Sequence, residues 1–242
     1  MELSEYSIAV LAGGLATRLR PITLNLPKSL ISFHGKPFLE YQINLFKKQG
    51  FHNILLCVGH QGEKIEEFFG SGDGFGVKLS YSYDGAKLLG TGGALRSALP
   101  RLSETFIVVY GDSFLDIDYA LALKHFLYCS KDPKHGSKGL MTVYKNHDQF
   151  DKSNIVYEKG KIVRYDKEKR TLKMEYIDWG LGVFSKSAFD DWEEDQAFDL
   201  AQLYQKLLRE KKLVGFEVDK RFYEIGSHEG KEEFLKYIEP DY

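Results

Sequence analysis

Cysteine is scarce in this chain: 242 residues hold only Cys57 and Cys129, with no Cys-x-x-Cys spacing. Neither a disulfide framework nor a thiolate zinc site is indicated. Cys57, inside the apolar run Ile54-Leu55-Leu56-Cys57-Val58, reads as a small core residue. An excess of one charge sign is also missing, since 33 Lys and Arg face 35 Asp and Glu, interspersed, for a net charge of −2. Without a basic patch, nucleic acid is not the expected partner. No apolar run reaches bilayer-spanning length, and residues 1–7 lack the apolar centre of a signal peptide. A soluble, cytoplasmic protein with no membrane partner is the expectation. The Gly-x-Gly-x-x-Gly fingerprint and the Gly-Lys-Ser/Thr of a P-loop are both absent, as are internal repeats.

What is present is alternation. Hydrophobic residues are 43% of the chain, enough to fill a large α/β core. Residues 8–11 read as a buried strand. Residues 38–50 read as a helix, with Phe38, Leu39, Tyr41, Ile43, Leu45 and Phe46 apolar, Glu40, Gln42, Asn44, Lys47 and Lys48 polar, and Gly50 as its stop. A strand over 54–58, a helix over 63–69 with Ile65, Phe68 and Phe69 inward, and a strand over 77–83 follow. A helix over 94–99, a strand over 106–110 and a helix over 120–129 continue the series. This order predicts a mainly parallel sheet covered on both faces. Beyond a strand at 139–144 the texture changes. Residues 154–165 read as a hairpin about Lys159-Gly160, with a strand over 176–184, a helix over 199–211, a strand over 213–218 and a closing helix over about 229–237.

The first strand runs into Ala12-Gly13-Gly14, then Thr17-Arg18, then Pro27-Lys28. Small residues let backbone N–H groups approach a ligand. Two cations ten positions apart complete a device for holding a polyanion; a Gly-Gly turn alone is as often structural. Asp112, after the apolar strand 106–110, stands where ligands bind in open α/β sheets, although Asp112 and Ser113 suit a helix N-cap as well. The glycines of 70–76 precede a strand and read as a turn. Gly90-Thr91-Gly92-Gly93 follows a strand and precedes a helix, so its backbone is expected to approach a ligand at a helix N-terminus.

The stretch Gly13-Gly14-Leu15-Ala16-Thr17-Arg18-Leu19-Arg20-Pro21-Ile22-Thr23, with Pro27-Lys28, resembles the signature of the bacterial nucleoside-diphosphate-sugar pyrophosphorylases, the sugar-1-phosphate nucleotidylyltransferases. Ala16 stands where that family has glycine. The resemblance covers residues 8 to about 235 and looks nearest to the heptose-1-phosphate guanylyltransferases and small capsule-pathway enzymes. It implies a Rossmann-like α/β three-layer sandwich with a mostly parallel mixed sheet and a small β-rich acceptor-site subregion. The whole chain, 1–242, would form one domain, with a nucleotide half over about 8–130 and an acceptor half over about 139–235.

The same resemblance implies the site. Leu11, Ala12, Gly13, Gly14, Thr17, Asp84, Gly90 and Thr91 would bind the nucleotide. Arg18 and Lys28 would be catalytic, neutralising the triphosphate and the α-phosphoryl group. Asp112 and Glu224 would hold Mg²⁺, Glu224 replacing the family's second Asp. Asn154, Asp166, Lys167, Asp178 and Gly180 would bind the acceptor, with Lys167 on its phosphate. Asp178 replaces the usual Asn; a carboxylate only accepts hydrogen bonds, which points to an acceptor with extra donors. The implied reaction transfers a nucleotidyl group from an NTP, GTP or CTP favoured, to a sugar 1-phosphate and releases pyrophosphate. Two alternatives stay open: cytidylyl transfer to a phosphorylated non-sugar acceptor of phosphocholine or phosphoamino type, and a non-catalytic nucleotide-sugar sensor. Self-association into a homo-oligomer stays open too.

Overall fold

The structure is a computed structural model, and it describes residues 1–14, 17–85, 87–132 and 136–239. Ala16, the departure from the glycine-rich signature, lies outside the described residues. In chain order the elements are β1 (Ser7–Leu11), β2 (Ser32–Phe33), β3 (Lys36–Pro37), α1 (Phe38–Lys48), β4 (Asn53–Val58), α2 (Gly62–Phe69) and β5 (Lys78–Tyr83). Next come α3 (Gly90–Ala98), β6 (Thr105–Tyr110), β7 (Ser113–Phe114), α4 (Tyr119–Ser130) and β8 (Gly139–Lys145). The chain closes with β9 (Ile155–Glu158), β10 (Lys161–Tyr165), β11 (Tyr176–Ser185), α5 (Leu200–Arg209), β12 (Leu213–Val218), β13 (Tyr223–Glu224) and α6 (His228–Ile238).

One mixed sheet organises the molecule. Strands β6, β1, β4 and β5 lie side by side and parallel, with Leu11 opposite Cys57 on one flank and Tyr110 on the other. Their carboxyl ends therefore meet along one edge, the edge that carries ligands in such sheets. Because helices cover both faces, β1 after Ser7 and β6 after Thr105 are continuous apolar runs rather than alternating ones. Val10, Leu56 and Val109 face α1, α2 and α4, whereas Ala9, Leu55 and Val108 face α3 and α5. Beyond β6 the sheet turns antiparallel: β11 pairs β6, β8 pairs β11, and β12 runs parallel to β8. The β9–β10 hairpin joins through Tyr176 opposite Ile155. This is the Rossmann-like three-layer α/β sandwich that the resemblance implied. No helix among the described residues is long and apolar enough to cross a membrane.

Three details depart from expectation. Gln42, read as part of the polar face of α1, is buried because both carbonyls it reaches lie in the core-side turn after β6. Phe68, read as inward, is 52% exposed; Gly62, Ile65 and Phe69 form the buried face of α2. Helix α3 starts at Gly90 rather than 94, so the Gly-Thr-Gly-Gly run is helix and not loop.

Candidate active site

The residues expected to bind the nucleotide gather at the carboxyl edge of β1. The Ala12 N–H donates to the Cys57 carbonyl at 2.8 Å, and the Gly111 N–H donates to the Leu11 carbonyl at 2.9 Å. These bonds carry the parallel ladder past the strand ends and splay three loops around one cavity. Gly13 and Gly59 meet backbone to backbone, and a Cβ on Gly59 would stand 2.9 Å from the Gly13 oxygen. The cavity is about 250 Å³ and is lined by Leu11, Ala12, Gly13, Gly14, Asp84, Gly90 and Thr91, with Lys28, Tyr110 and Asp112 at its other side. Thr17 and Arg18 lie on an exposed turn outside that lining. Asp84 faces Gly13 across the cavity, and burial holds its carboxyl above the ordinary carboxylate range, offset in part by the Leu89 N–H. Burial likewise pushes the Cys57 thiol up to about 12, which removes it as a nucleophile.

The charged end is built by two short strands. Pairing of β7 with β13 sets Glu224 opposite Ser113, and the Ile225 N–H donates to the Asp112 carbonyl at 2.9 Å. Asp112 and Glu224 are thereby neighbours although far apart in sequence. Lys28 Nζ donates to Asp112 Oδ2 at 2.6 Å. Glu224 is exposed to solvent, although neighbouring protein crowds its carboxyl. Desolvation first, then the Asp112 and Asp151 carboxylates, push its carboxyl up to about 7 against the opposing pull of Lys28 and Arg18. Of the four predicted residues, Lys28 and Asp112 are in direct contact, whereas Arg18 and Glu224 are related to them only through the charges acting on the Glu224 carboxyl.

The residues expected to bind the acceptor gather where β11 breaks register. Between Asp178, opposite Val143, and Gly182, opposite Met141, three residues of β11 face the single Thr142 of β8. The Thr142 hydroxyl donates to the Leu181 carbonyl at 2.7 Å and accepts from its N–H at 3.2 Å, which satisfies the bulge. Gly180 takes φ +101°, a conformation that L side chains rarely adopt, and its N–H donates to Asp178 Oδ1 at 3.1 Å. Asn154 Oδ1 accepts from the Asp178 N–H at 3.3 Å. Lys167 reaches Asp199 at 3.7 Å and lowers the Asp178 pKa, which burial nonetheless pushes up to about 6. Asp166 stands apart. Its oxygens accept from the Glu168 and Lys169 N–H groups and from Arg164, so it shapes the loop that carries Lys167.

The expected approach of the 90–93 backbone to a ligand needs correction at two positions. The Gly92 and Gly93 N–H groups donate to the Phe198 carbonyl at 2.9 and 3.3 Å, and a side chain on Gly92 would collide with the Phe198 ring. These glycines admit the segment before α5 rather than an anion. The Thr91 hydroxyl accepts from the Leu200 N–H at 2.8 Å, tying α3 to α5. Two residues escaped the sequence reading. Gln42 donates from one amide nitrogen to the carbonyls of Tyr110 and Ser113, at 2.9 and 2.8 Å, and fixes the turn that presents Asp112. Asp151 acts on Glu224 from a loop closed by Asn146, Asp148 and Ser153. Neither belongs to a motif, and a polar residue on a helix gives no warning that its amide is buried.

A Rossmann-like sheet with a glycine-lined cavity at its carboxyl edge, bordered by the Lys28–Asp112 pair, is the frame of a nucleotide-handling transferase. A family model described as nucleotidyl transferase matches residues 8–234, and the chain belongs to that family. It is 31% identical over 228 residues to a D-glycero-alpha-D-manno-heptose 1-phosphate guanylyltransferase of Campylobacter jejuni, covering 93% of this chain and 97% of that one. It is 30% identical over 207 residues to an N-acetylmuramate alpha-1-phosphate uridylyltransferase of Neisseria meningitidis, with 85% and 87% covered. The inositol-1-phosphate CTP transferase of T. maritima shares the fold, with a TM-score of 0.74 at 21% identity over 99% of this chain and 98% of that one.

Proposed function

We propose that the chain transfers a guanylyl group from GTP to a sugar 1-phosphate and releases pyrophosphate. The observation that carries the choice of base is Asp84. Its carboxylate lines the cavity opposite Gly13, desolvated and with one backbone N–H on it. An ionised carboxylate offers acceptors only. Guanine presents two adjacent donors, N1–H and the 2-amino group, and satisfies both oxygens at once. Uracil and thymine present a single N–H between two carbonyls. Adenine and cytosine present one amino group beside a ring acceptor that would face the carboxylate. Relatives that use guanylyl and uridylyl donors flank the chain in sequence, so the distinction rests on this side chain.

An oxygen of the acceptor phosphate attacks the α-phosphorus in line, the bond from that phosphorus to the β-bridging oxygen breaks, and the electron pair leaves with pyrophosphate. Arg18 and Lys28 supply fixed positive charge to the triphosphate, and Lys167 meets the acceptor phosphate. Asp112 and Glu224 would hold Mg²⁺. Burial first, and then the neighbouring Asp112 charge, raise the Glu224 carboxyl, and a hard dication bound between them would favour its ionised form. No three described His, Cys, Asp or Glu side chains are grouped to hold a metal, which suits an ion that takes one or two carboxylates and completes its shell with phosphate and water. When bound it neutralises charge on the transferring phosphoryl group. The incoming triphosphate gives Lys28 new partners and releases Asp112.

Pyrophosphate release from each of four NTPs against hexose and heptose 1-phosphates tests this reading. GTP should dominate, and Asp84→Asn should lower kcat/KM for GTP by about tenfold or more. Preference for UTP or CTP removes the guanine assignment. Absence of turnover with every sugar 1-phosphate removes the acceptor assignment.

A further inference from the structure

Helix α4 rests on the sheet by one side, where Ala122, Leu123 and Phe126 are buried. Its other side carries two large apolar side chains that the fold leaves open, Leu121 at 52% and Tyr128 at 81% exposure. Seven positions apart, they share one helix face. His125 stands between them, against the Phe216 ring of β12 with centroids 5.5 Å apart. Beside Leu121 opens a groove of about 1020 Å³, bounded by the start of α4, the end of α1 and the carboxyl ends of β8 and β12. Half-buried Leu45, Ile117, Tyr144 and Phe216 line it, together with exposed Lys48 and Lys220. The charges of α4 sit at its two ends. Asp118 caps the start, where Oδ1 accepts from the Ala120 N–H at 2.9 Å, and Lys131 stands at the other end. Both are exposed, and neither has an ion pair among the described residues.

We propose that this face of α4 and the adjoining groove bind a second copy of the chain, as a two-fold dimer with the two α4 helices antiparallel and Tyr128 of each copy seated against Leu121 of the other. The sequence of the helix is self-complementary in that arrangement. Positions 118 and 131 lie equally far from the step between Lys124 and His125, and so do positions 121 and 128. A two-fold axis at that step sets both Leu121–Tyr128 contacts and both Asp118–Lys131 pairs at once. A two-fold interface requires this, since one patch must complement itself. A partner of another kind would need no such symmetry. The like charge nearest the axis, Lys124, has a flexible stem that carries its ammonium out to water. Tyrosine is a favoured anchor at interfaces because it covers a large area at low entropy cost. Two helices alone bury less than the roughly 1,200–2,000 Å² of a stable interface. Because Leu121 also lines the groove, the incoming Tyr128 reaches its mouth, and the groove walls extend the contact on both sides of the axis.

Sedimentation equilibrium on the full chain, over a range of protein concentrations, tests this. Wild type should approach twice the 27.7 kDa of the chain and dissociate on dilution with a Kd in the micromolar range. Tyr128→Ser and Leu121→Ser should each raise that Kd by about tenfold or more. Lys131→Glu sets carboxylates opposite Asp118 and should weaken the dimer likewise, and adding Asp118→Asn, which keeps the helix cap, should recover part of the loss. All four positions are exposed, and melting of each variant within a few degrees of wild type shows that the fold is intact. A wild-type chain that stays monomeric up to about 1 mM overturns the proposal. So does a dimer whose Kd is unmoved by Tyr128→Ser and Leu121→Ser, which then forms through another surface. A dimer sensitive to those two but indifferent to Lys131→Glu overturns the antiparallel register. The measurement uses no nucleotide, so its outcome is independent of the guanylyltransferase reading.

Discussion

Lys28 Nζ stands 2.6 Å from Asp112 Oδ2, across 84 positions of sequence, so the cation after the glycine-rich segment and the carboxylate at the end of β6 are paired before substrate arrives. Their side chains are 20% and 32% exposed. An ion pair that open to water contributes little to stability, roughly 0–1 kcal/mol. Its value is positional, because it holds both charges at the wall of the glycine-lined cavity.

Lys28→Ala separates those two roles. Loss of one preorganised charge at a phosphoryl-transfer site costs about 3–4 kcal/mol of transition-state stabilisation, a hundred- to thousandfold in kcat. Stability should change by less than about 1 kcal/mol. Steady-state pyrophosphate release and a urea titration on the same preparation check both numbers. An unchanged kcat removes Lys28 from the chemistry.

Glu224→Gln should change the metal response and the pH dependence of stability together. The Glu224 carboxyl rises from an ordinary 4.5 to about 7, chiefly by desolvation and then by Asp112 and Asp151. Between those values the folded protein binds more protons than the unfolded chain, so metal-free stability falls as pH rises through the window. Gln removes that penalty. The variant should melt above wild type at pH 8 without Mg²⁺ and close to it at pH 5, and Mg²⁺ should raise the melting temperature of wild type far more than that of the variant. Calorimetric scans at both pH values, with and without Mg²⁺, decide it; the same rise in both proteins rejects Glu224 as a ligand.

Periodicity and turn chemistry made most of the fold legible. Strands β1, β4 and β6 are apolar runs because both their faces are covered, and the Lys159-Gly160 turn of the β9–β10 hairpin takes positive φ at both residues as its sequence signalled. The motif around Gly13, Arg18 and Lys28 was legible because it is local. What was not legible depends on partners distant in sequence. Gln42 is buried by two carbonyls some seventy positions away. Gly92 and Gly93 of α3 answer to Phe198, more than a hundred positions on. Tyr110 counts as strand until Gly180 and the cavity are set beside it.

Gly92→Ala tests that reading of α3. Ala is the better helix former by about 1 kcal/mol, so an open position would be stabilised. Here the new methyl runs into the Phe198 ring, itself stacked on Trp192 with centroids 3.7 Å apart. Overpacking a filled site costs about 1–3 kcal/mol, which outweighs the propensity gain. The variant should therefore melt a few degrees below wild type and weaken acceptor binding through displacement of Asp199, the cap of α5. A higher melting temperature would show that the 196–198 segment yields and that the glycine serves another purpose.

The acid limb of acceptor use should belong to Asp178. Burial pushes its carboxyl from 3.8 up to about 6, with Lys167 and the Gly180 N–H lowering it and Asp199 raising it. Only the ionised form accepts from sugar hydroxyls with both oxygens. At saturating GTP, kcat/KM for the acceptor should climb with pH through an apparent pKa near 6 and level above it. Lys167→Met should move the limb to higher pH and Asp199→Asn to lower pH, whatever either does to the height of the profile, and Asp178→Asn should flatten it. With Glu224 as the proposed Mg²⁺ ligand, saturating Mg²⁺ should hold it ionised and keep it out of the limb. A limb that stays in place in both Lys167→Met and Asp199→Asn assigns it to a different residue.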